Sequence, residues 1–366
     1  MIVRRIALSG FRNYDFETAD FAPGTNVICG ANAQGKTNLL EAVYMLSTGR
    51  SFRTRFDREL IAFGSEGADL LADVDSHGRE QTVNLRMQAG RPKRILVNSV
   101  KKSASELGDV VNTVLFCPDD LNLIKEGAAV RRRLMDNAIG QIRPRYAELL
   151  SDYNRYFENK TRILRDWREK PSLLETLDDF SDGMARISAQ LIRYRAAFTQ
   201  RLGEAAGPIH RDFSDGREEL TLRYETVSTV SDPFASAREI YYQICEHQER
   251  HRQAELDAGQ CLTGAHKDDL AIDINGRPAR SFASQGQTRT AALSLKLAER
   301  EIFLRETGEY PVLLLDDVLS ELDARRQSFV LNRIGGGQTL ITCCEDGDIS
   351  GRTGGRVLFV EGGRIK

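Results

Sequence analysis

Hydrophobic positions in the first 117 residues mostly alternate with polar ones, which is typical of half-buried strands. Strands are predicted at residues 2–8, 25–29, 70–75, 81–87, 94–97 and 111–116. One helix is predicted at residues 36–46, where four apolar side chains share a face: Leu39, Leu40, Val43 and Leu46. This segment therefore combines one helix with short strands, some of which are separated by turn signals such as His77-Gly78.

The pattern changes near residue 118, after which apolar residues recur mainly at intervals of three and four. Two such groups predict two helices: Tyr146, Leu149, Tyr153, Tyr156, Ile163 and Trp167, then Met184, Ile187, Leu191, Tyr194 and Phe198. Lys170-Pro171-Ser172 separates the groups, so an antiparallel helical pair is expected. At 1.5 Å per residue each helix spans about 40 Å or less. Residues 118–260 are therefore expected to form a compact helical insert.

Residues 261–366 again mix strands with helices. Strands are predicted at 271–274, before the turn Asn275-Gly276, and at 312–315, 339–342 and 356–360. Helices are predicted around 288–305 and at 324–333. Alternation of this kind predicts an α/β fold with a mainly parallel sheet. The chain thus reads as three consecutive parts, 1–117, 118–260 and 261–366.

A glycine-rich segment lies between the strand at 25–29 and the helix at 36–46. It reads Gly30, Ala31, Asn32, Ala33, Gln34, Gly35, Lys36 and Thr37, and it matches the phosphate-binding loop pattern at every position. Its glycines let backbone N–H groups face phosphates at the positive end of a helix. Lys36 is expected to reach the β- and γ-phosphates of ATP, and the Thr37 hydroxyl to coordinate Mg²⁺. Asn38 follows in the first helical turn and is included in the predicted nucleotide site. The alternative is a glycine-rich turn with a surface lysine.

Two carboxylates follow the apolar strand at 312–315. In a parallel sheet the carboxyl end of such a strand lies beside the phosphate loop. Asp316 is expected to hold Mg²⁺, directly or through water, and Asp317 to orient and polarise the attacking water. We predict Lys36, Asp316 and Asp317 as the catalytic residues. An apolar strand ending in Asp-Asp is common by itself, so this assignment depends on its pairing with the loop at Lys36.

Ser284, Gln285, Gly286 and Gln287 precede the helix expected around 288–305. A serine-glycine turn at a helix N-terminus is suited to an anion, although in isolation it would be read as an N-cap. Its place upstream of the acidic strand is that of the signature motif of ABC ATPases. Ser320-Glu321-Leu322-Asp323 resembles the D-loop that follows the acidic strand in that superfamily. We therefore expect Ser284–Gln287 and Asp323 to bind nucleotide, with each site shared by two chains.

Composition changes this picture little. The formal net charge of −2 neither favours nor excludes nucleic acid, so only local basic clusters indicate a DNA-binding face. The six cysteines have no metal-type or disulfide-type spacing, which suits a reducing cytoplasm. Charged residues occur where a signal peptide would need an apolar run, and no run approaches the length of a membrane span. A cytoplasmic protein without a membrane partner is expected.

Three weaker candidates remain open. Arg50, Arg53 and Arg55 either contact nucleotide or DNA phosphate or form a solvated basic loop. The arginines at 131–133 begin a helix, and at most two of them can face one partner such as DNA. His266 with Asp268 and Asp269 is an incomplete ligand set for a metal, and a structural hydrogen-bond cluster is the favoured interpretation.

Across essentially its whole length the sequence resembles the RecF family of bacterial recombination mediators. The segments that carry the resemblance are Leu8-Ser-Gly-Phe-Arg-Asn-Tyr14, Gly49-Arg-Ser-Phe-Arg-Thr54, Phe116-Cys-Pro-Asp-Asp-Leu121, Arg131-Arg-Arg-Leu-Met-Asp136 and Thr263-Gly-Ala-His-Lys-Asp-Asp-Leu270. These segments are far more specific than a phosphate loop. The resemblance implies an ABC-type P-loop ATPase head of the SMC/Rad50-like group, with an antiparallel β subdomain and a compact, mainly helical second lobe. Residues 1–117 and 261–366 would form lobe I, and 118–260 lobe II.

The resemblance also implies a function. Such proteins bind DNA at single/double-strand junctions or in duplex next to gaps, form homodimers on ATP, and hydrolyse ATP weakly and in a DNA-stimulated way. With RecO and RecR they help to load recombinase at single-strand gaps, in recombinational repair, fork maintenance and the SOS response to DNA damage. Residue patterns by themselves indicate only a dimerising nucleotide switch.

Two departures and several rival functions bear on this expectation. The strand at 339–342 ends in Thr342 where transporter ATPases carry a switch histidine, and Asp317 replaces the catalytic glutamate of many ABC proteins. No glutamine lies between 110 and 130, so Asp119 or Asp120 is the candidate for the Q-loop position. Three rival classes fit the sequence less well. A transporter subunit would have a much shorter interval between the phosphate loop and the signature motif than this chain has. An SMC- or Rad50-like protein would need long heptad repeats in the insert, and an OLD-type nuclease would need an additional acidic nuclease domain. The alternative that stays open is a nucleotide-gated clamp with little turnover.

Overall fold

The computed structural model describes residues 1–344 and 349–366. The chain divides into two compact units: unit 1 comprises Met1–Asn122 and Ala292–Lys366, and unit 2 comprises Leu123–Ala291. The domain limits expected from the sequence lie at 117/118 and 260/261. The first lies close to the change of unit, whereas residues 261–291 pack with unit 2. They do so because the strand Asp269–Ile274 pairs with the strand Leu220–Glu225 of the helical segment.

The amino-terminal part of unit 1 contains eight strands and one helix. In chain order these are β1 (Ile2–Phe11), β2 (Tyr14–Asp20), β3 (Thr25–Cys29), α1 (Lys36–Thr48), β4 (Gly67–Ser76), β5 (Arg79–Gln88), β6 (Arg94–Val97), β7 (Val100–Lys102) and β8 (Thr113–Phe116). Helix α1 ends at Gly49, which adopts the left-handed conformation that favours glycine (φ 64°) and donates its N–H to the Met45 carbonyl. The predicted antiparallel subdomain is a six-stranded sheet of order β2-β1-β4-β5-β6-β7.

Unit 2 is mainly helical and carries a small antiparallel sheet. Its elements are α2 (Ala128–Ile142), α3 (Pro144–Asp166), α4 (Leu177–Phe213), β9 (Leu220–Glu225), α5 (Ala237–Ala258), β10 (Asp269–Ile274), β11 (Arg277–Pro278) and α6 (Ala279–Phe282). Strands β10 and β11 are joined by Asn275 and Gly276, both at positive φ, as the Asn-Gly turn predicts. Strand β9 was not anticipated. The limit of about 40 Å per helix was also wrong, because α4 has 37 residues and spans about 55 Å.

The chain then continues through α7 (Gln285–Thr307), β12 (Val312–Leu315), α8 (Ala324–Leu331), β13 (Thr339–Cys343), α9 (Ile349–Thr353), β14 (Arg356–Glu361) and β15 (Arg364–Ile365). The second sheet of unit 1 has the order β15-β14-β3-β13-β12-β8 and is parallel from β14 to β8. Strand β13 therefore lies between β3, which leads into the glycine-rich loop, and β12, which leads into Asp316. This order gathers three strand ends at one edge of the sheet.

The larger of two hydrophobic clusters described in unit 1 joins α1 to both sheets. It includes the apolar face of α1, side chains of the antiparallel sheet such as Ile6 and Leu70, and side chains of the parallel sheet such as Leu314 and Leu340. Burial of a large apolar side chain contributes about 2 kcal/mol, so a core of this size fixes α1 against both sheets. The loop before α1 therefore stands on a rigid base. Among the described residues, no helix is long and apolar enough to cross a membrane.

Candidate phosphate-binding site

The loop between β3 and α1 depends on two glycines whose backbone other L-residues rarely adopt. Gly30 has φ 156° and Gly35 has φ 122°. A Cβ on Gly30 would lie 2.2 Å from the Val360 carbonyl oxygen, and one on Gly35 would lie 2.9 Å from the Tyr14 hydroxyl. Ala33 also has positive φ, at 64°. The backbone is thus held in a turn that only this placement of glycines permits.

Side chains at the turn between β1 and β2 form hydrogen bonds with the backbone of the phosphate loop. The Tyr14 hydroxyl donates to the Gly35 carbonyl oxygen at 2.9 Å, and Asn13 Nδ2 donates to the Gln34 carbonyl oxygen at 2.8 Å. The Gly363 N–H donates to the same Gln34 oxygen at 3.0 Å. Burial raises the pKa of Tyr14 far above its ordinary value, so this hydroxyl keeps its proton. These contacts fix the backbone of Gln34 and Gly35 at the start of α1.

Lys36 lies at the start of α1 and is almost fully buried. Its Nζ donates to the carbonyl oxygens of Gly30 at 2.6 Å and Ala31 at 3.2 Å. Cys344 Sγ lies 3.8 Å from this ammonium and 2.9 Å from Asn32 Oδ1. The lysine is therefore held against the backbone of the loop.

Thr37, Asp316 and Thr342 meet at the carboxyl edge of the parallel sheet. The Thr37 hydroxyl donates to Asp316 Oδ1 at 2.9 Å, and the Thr342 hydroxyl lies 3.0 Å from the same oxygen. Burial raises the pKa of Asp316, an effect that the two hydroxyl contacts oppose. The contacts follow from the strand order, since β13 places Thr342 between the loop and the acidic strand. A threonine hydroxyl and a carboxylate are oxygen ligands of the kind that Mg²⁺ prefers.

Asp317 follows in an unusual backbone conformation. Its φ is 50°, which is uncommon for a residue other than glycine, and its N–H donates to Thr342 Oγ1 at 2.8 Å. Its Oδ1 is buried without a hydrogen-bond partner among residues 1–344 and 349–366. A buried carboxylate oxygen without a partner is costly, and a bound water or ligand would relieve that cost. No cluster of three or more His, Cys, Asp or Glu suited to a metal occurs in the described part of the chain.

The predicted signature residues lie at the amino-terminal end of α7, in unit 2. The Gln287 N–H donates to Ser284 Oγ at 3.3 Å, and the Ser284 N–H donates to Gln287 Oε1 at 2.8 Å. These reciprocal bonds form a capping box with Gln285 and Gly286 between the partners. The turn is thus a helix cap in which Ser284 and Gln285 are exposed, and nucleotide binding by these four residues stays a prediction.

Asp323, the last residue of the D-loop, caps α8. Its Oδ1 accepts from the Arg326 N–H at 2.9 Å, and this bond lowers the pKa of Asp323 below its ordinary value. An ionised N-cap carboxylate stabilises a helix by about 1 kcal/mol. Binding of nucleotide by Asp323 stays a prediction. Asp120, a candidate for the Q-loop position, accepts from the Cys117 N–H at 2.9 Å, whereas Asp119 is exposed.

The arginines at 131–133 differ in their surroundings. Arg131 is buried and forms a bidentate pair with Asp269, at 2.7 Å from Nε and 2.8 Å from Nη2. Arg131 is therefore a structural residue, because burial and its pairing with Asp269 withdraw its guanidinium from the surface. Arg132 donates to the Asp268 carbonyl oxygen at 2.6 Å, and Arg133 is exposed.

Arg53 lies near the phosphate loop. Its Nη1 donates to Asn38 Oδ1 at 2.7 Å and lies near the fully buried Glu41, at 3.8 Å. All three arginines of this segment are exposed. The bond to Asn38 ties Arg53 to the first turn of α1.

His266 belongs to a structural cluster. Its Nδ1 accepts from the Tyr153 hydroxyl at 2.8 Å, and its Nε2 lies 3.2 Å from the Cys261 carbonyl oxygen. Burial lowers the pKa of His266 to about 4. The favoured interpretation, a hydrogen-bond cluster, is what the structure contains.

Two supports of the loop were missed by the sequence analysis. One is the pair Asn13 and Tyr14, whose segment was noted without a role at the loop. The other is Glu41, which accepts both Nε and Nη2 of Arg12 at 2.8 and 2.7 Å. The available signal for Glu41 was an acidic residue close to the apolar face of a predicted helix, since a buried carboxylate needs a partner.

The chain matches the model of the RecF/RecN/SMC N terminal domain family over residues 2–350. DNA replication and repair protein RecF of Acetivibrio thermocellus is 38% identical over 368 residues, which cover 100% of this chain and 99% of that protein. The RecF of Bacillus subtilis is 40% identical over 348 residues, covering 93% of each chain.

Solved structures agree with the sequence relatives. The recombination mediator protein RecF-ATPrS in the RecFOR pathway has a TM-score of 0.93 at 33% identity, covering 100% of this chain and 97% of that one. The Smc head domain from Pyrococcus furiosus, with a TM-score of 0.55 and 16% identity, shares the fold alone. The predicted ABC-type ATPase head is therefore confirmed, and the chain belongs to the RecF family.

Proposed function

We propose that this chain is a DNA replication and repair protein that acts as a recombination mediator and binds ATP at the loop formed by residues 30–37. Full-length relatedness to RecF proteins supports the role in repair. The single observation that carries the nucleotide site is the contact of Thr37 with Asp316, because it joins the phosphate loop to the acidic strand.

ATP would be bound by the backbone N–H groups of the loop, with Asn38 in the first turn of α1. Lys36 would exchange the carbonyl oxygens of Gly30 and Ala31 for the β- and γ-phosphates, since a charged acceptor binds an ammonium more strongly than a neutral one. Thr37 and Asp316 would hold Mg²⁺, which when bound compensates phosphate charge. Asp317 would orient the attacking water through its buried Oδ1, which has no partner among the described residues.

Two copies of the chain would dimerise on ATP. In this arrangement Ser284–Gln287 and Asp323 of one copy meet the nucleotide held by the other. The exposed Ser284 at the start of α7 supports this assignment, because a helix N-terminus presents positive charge to an anion and the capping box fixes the serine there. ATP hydrolysis would be weak and stimulated by DNA, and it would serve to reverse dimerisation.

DNA and two further proteins complete the proposal. The DNA would be a single/double-strand junction or duplex next to a gap, and RecO and RecR would be the partners in loading recombinase. The solved RecF structures named for the RecFOR pathway support this set of partners. We place the protein in the cytoplasm. The alternative with a similar site is a nucleotide-gated clamp with little turnover.

Sedimentation of the full chain, with and without ATP and a gapped duplex, tests this proposal. We expect ATP to convert monomer to dimer and to strengthen DNA binding, and we expect affinity to fall steeply with salt because phosphate contacts release counterions. Equal DNA affinity with and without ATP, or a flat salt dependence, would contradict the proposal. A turnover assay on the same samples separates the weak ATPase from the clamp.

A further inference from the structure

Both the oxygen and the nitrogen of the Gln287 side-chain amide form hydrogen bonds. Its Oε1 accepts from the Ser284 N–H at 2.8 Å, and its Nε2 donates to Glu218 Oε1 at 2.9 Å. The amide orientation follows from its neighbours, because a backbone N–H can only donate and a carboxylate can only accept. Reversal of the amide would lose both bonds. The rotamer of a signature residue is therefore fixed by a residue 69 positions away in the sequence.

Glu218 is itself anchored. Its Oε2 lies 3.0 Å from Nε2 of His210, a fully buried residue in the last turn of α4, and its N–H donates to Ser214 Oγ at 3.2 Å. Burial lowers the pKa of His210, against the opposing effect of the carboxylate. A neutral imidazole that donates from Nε2 satisfies the second oxygen of Glu218. The chain of contacts thus runs from the end of α4 through Glu218 to the start of α7.

We infer that Glu218 is a positioning residue for the signature turn. By holding the Gln287 amide it keeps Gln287 Oε1 on the Ser284 N–H, and so it fixes the backbone at which α7 begins. Ser284 Oγ accepts from the Gln287 N–H, which leaves the hydroxyl hydrogen to be donated to an anion. This inference rests on the proposed function, in which Ser284 meets the γ-phosphate of ATP held by a second copy.

Three substitutions of Glu218 distinguish the effect of its side-chain geometry from the effect of its charge. Glu218→Ala removes both bonds. Glu218→Asp keeps the charge but withdraws the carboxylate by one methylene, so it cannot span Gln287 and His210 together. Glu218→Gln removes the charge but keeps an acceptor for Gln287 at the same reach, with its NH₂ group toward His210, which accepts at Nε2 in its other neutral tautomer. Glu219→Ala, at the exposed neighbouring position, is the matched control for loss of charge.

Hydrogen exchange of the full chain without nucleotide measures the turn directly, and it is independent of dimerisation. We expect the Ser284 amide to exchange about tenfold faster in the Ala and Asp variants, as loss of a hydrogen bond to a charged group implies. The Gln variant and the Glu219→Ala control should stay within about threefold of the wild type. Exchange in α1 should not change in any variant.

ATP-dependent dimerisation then links the turn to function. The Ala and Asp variants should need about tenfold more protein to dimerise, while ATP binding by the monomer stays at the wild-type affinity. If Glu218→Ala does not fold, the Asp and Gln variants decide. Wild-type exchange at Ser284 in the Asp variant, or a loss in the Gln variant equal to that in the Asp variant, would overturn the inference. Failure of the wild type to dimerise on ATP would contradict the proposed function and leave the exchange result standing.

Discussion

The amino-terminal ends of α1 and α7 are both suited to an anion, but they are built differently. At α1 the backbone is held in a turn with positive φ at Gly35, a buried cation lies within the loop, and a hydroxyl meets a carboxylate at the neighbouring strand. At α7 a serine and a glutamine cap the helix, and a glutamate holds the glutamine from behind. The first end thus has a buried lysine and a hydroxyl–carboxylate pair beside it, whereas the second has an exposed serine and an uncharged cap.

From this difference we expect the two helix ends to have different roles in nucleotide binding. In the proposed function the end of α1 would bind the triphosphate by itself, since Lys36 supplies positive charge and Thr37 and Asp316 would hold a Mg²⁺ ion that supplies more. The end of α7 lacks such compensation in its cap, and a helix terminus alone contributes only about 1 kcal/mol toward an anion. We therefore expect α7 to complete a nucleotide site whose affinity resides at α1.

The largest effect is expected from removing the cation of the first end. Lys36→Ala should weaken ATP binding by roughly 100-fold, because a charge-assisted contact to phosphate is lost. Equilibrium dialysis with ATP measures this, and Lys101→Ala, an exposed lysine on β7, is the control. Unchanged affinity would show that α1 does not bind the phosphates.

Removal of the water-orienting carboxylate should separate binding from hydrolysis. Asp317→Asn should slow turnover by about 100-fold while ATP still binds, so the dimer becomes long-lived. ATPase rate and dimer fraction are the measurements, and Asp15→Asn on the exposed face of β2 is the control. Hydrolysis at the wild-type rate would exclude Asp317 from this role.

Thr342 offers a smaller perturbation of the same end. Thr342→Val keeps the shape of the side chain but removes the contacts to Asp316 Oδ1 and the Asp317 N–H. Turnover should fall by about tenfold with ATP affinity nearly unchanged. Thr18→Val, an exposed threonine on β2, controls for loss of a hydroxyl. A fall in affinity equal to the fall in turnover would place Thr342 in binding instead.

The two ends also differ in how much of them the sequence predicts. The loop at 30–37, the helix after it and the strand at 312–315 were predicted because their signals are local: glycines, an apolar helical face and a short apolar run. The cap at α7 was visible for the same reason. The hydrogen bond between Gln287 and Glu218 was not predicted, because nothing in the sequence around either residue indicates a partner 69 positions away.

Other omissions have the same physical cause. The alternation of Leu220–Glu225 is short, and the helical periodicity on both sides outweighed it until pairing with β10 became visible. The burial of Arg131 depends on Asp269, which pairing brings near from a distant segment. Tertiary contacts of this kind decide which of several arginines is structural.

A prediction of a different kind concerns acid stability in unit 2. Folded His266 stays neutral to about pH 4, whereas the unfolded residue takes a proton below about 6.5. The unfolded state therefore binds more protons between these values, so stability is lost as the pH falls. The free energy of unfolding, measured with urea, should fall between pH 7 and pH 4.5 by about 2 kcal/mol less in His266→Gln than in the wild type. Equal losses of unfolding free energy in the two proteins would mean that His266 does not contribute to the pH dependence of stability.

The shared site is tested most directly by mixing two inactive variants. Ser284→Arg should block dimerisation while sparing ATP binding by the monomer, and Lys36→Ala should fail at binding. A heterodimer of the two has one site with both defects and one site with neither, provided that loop and signature come from different chains. We expect ATPase activity to return in part on mixing, while each variant alone stays inactive. A mixture as inactive as its components, with heterodimers shown to form, would contradict it.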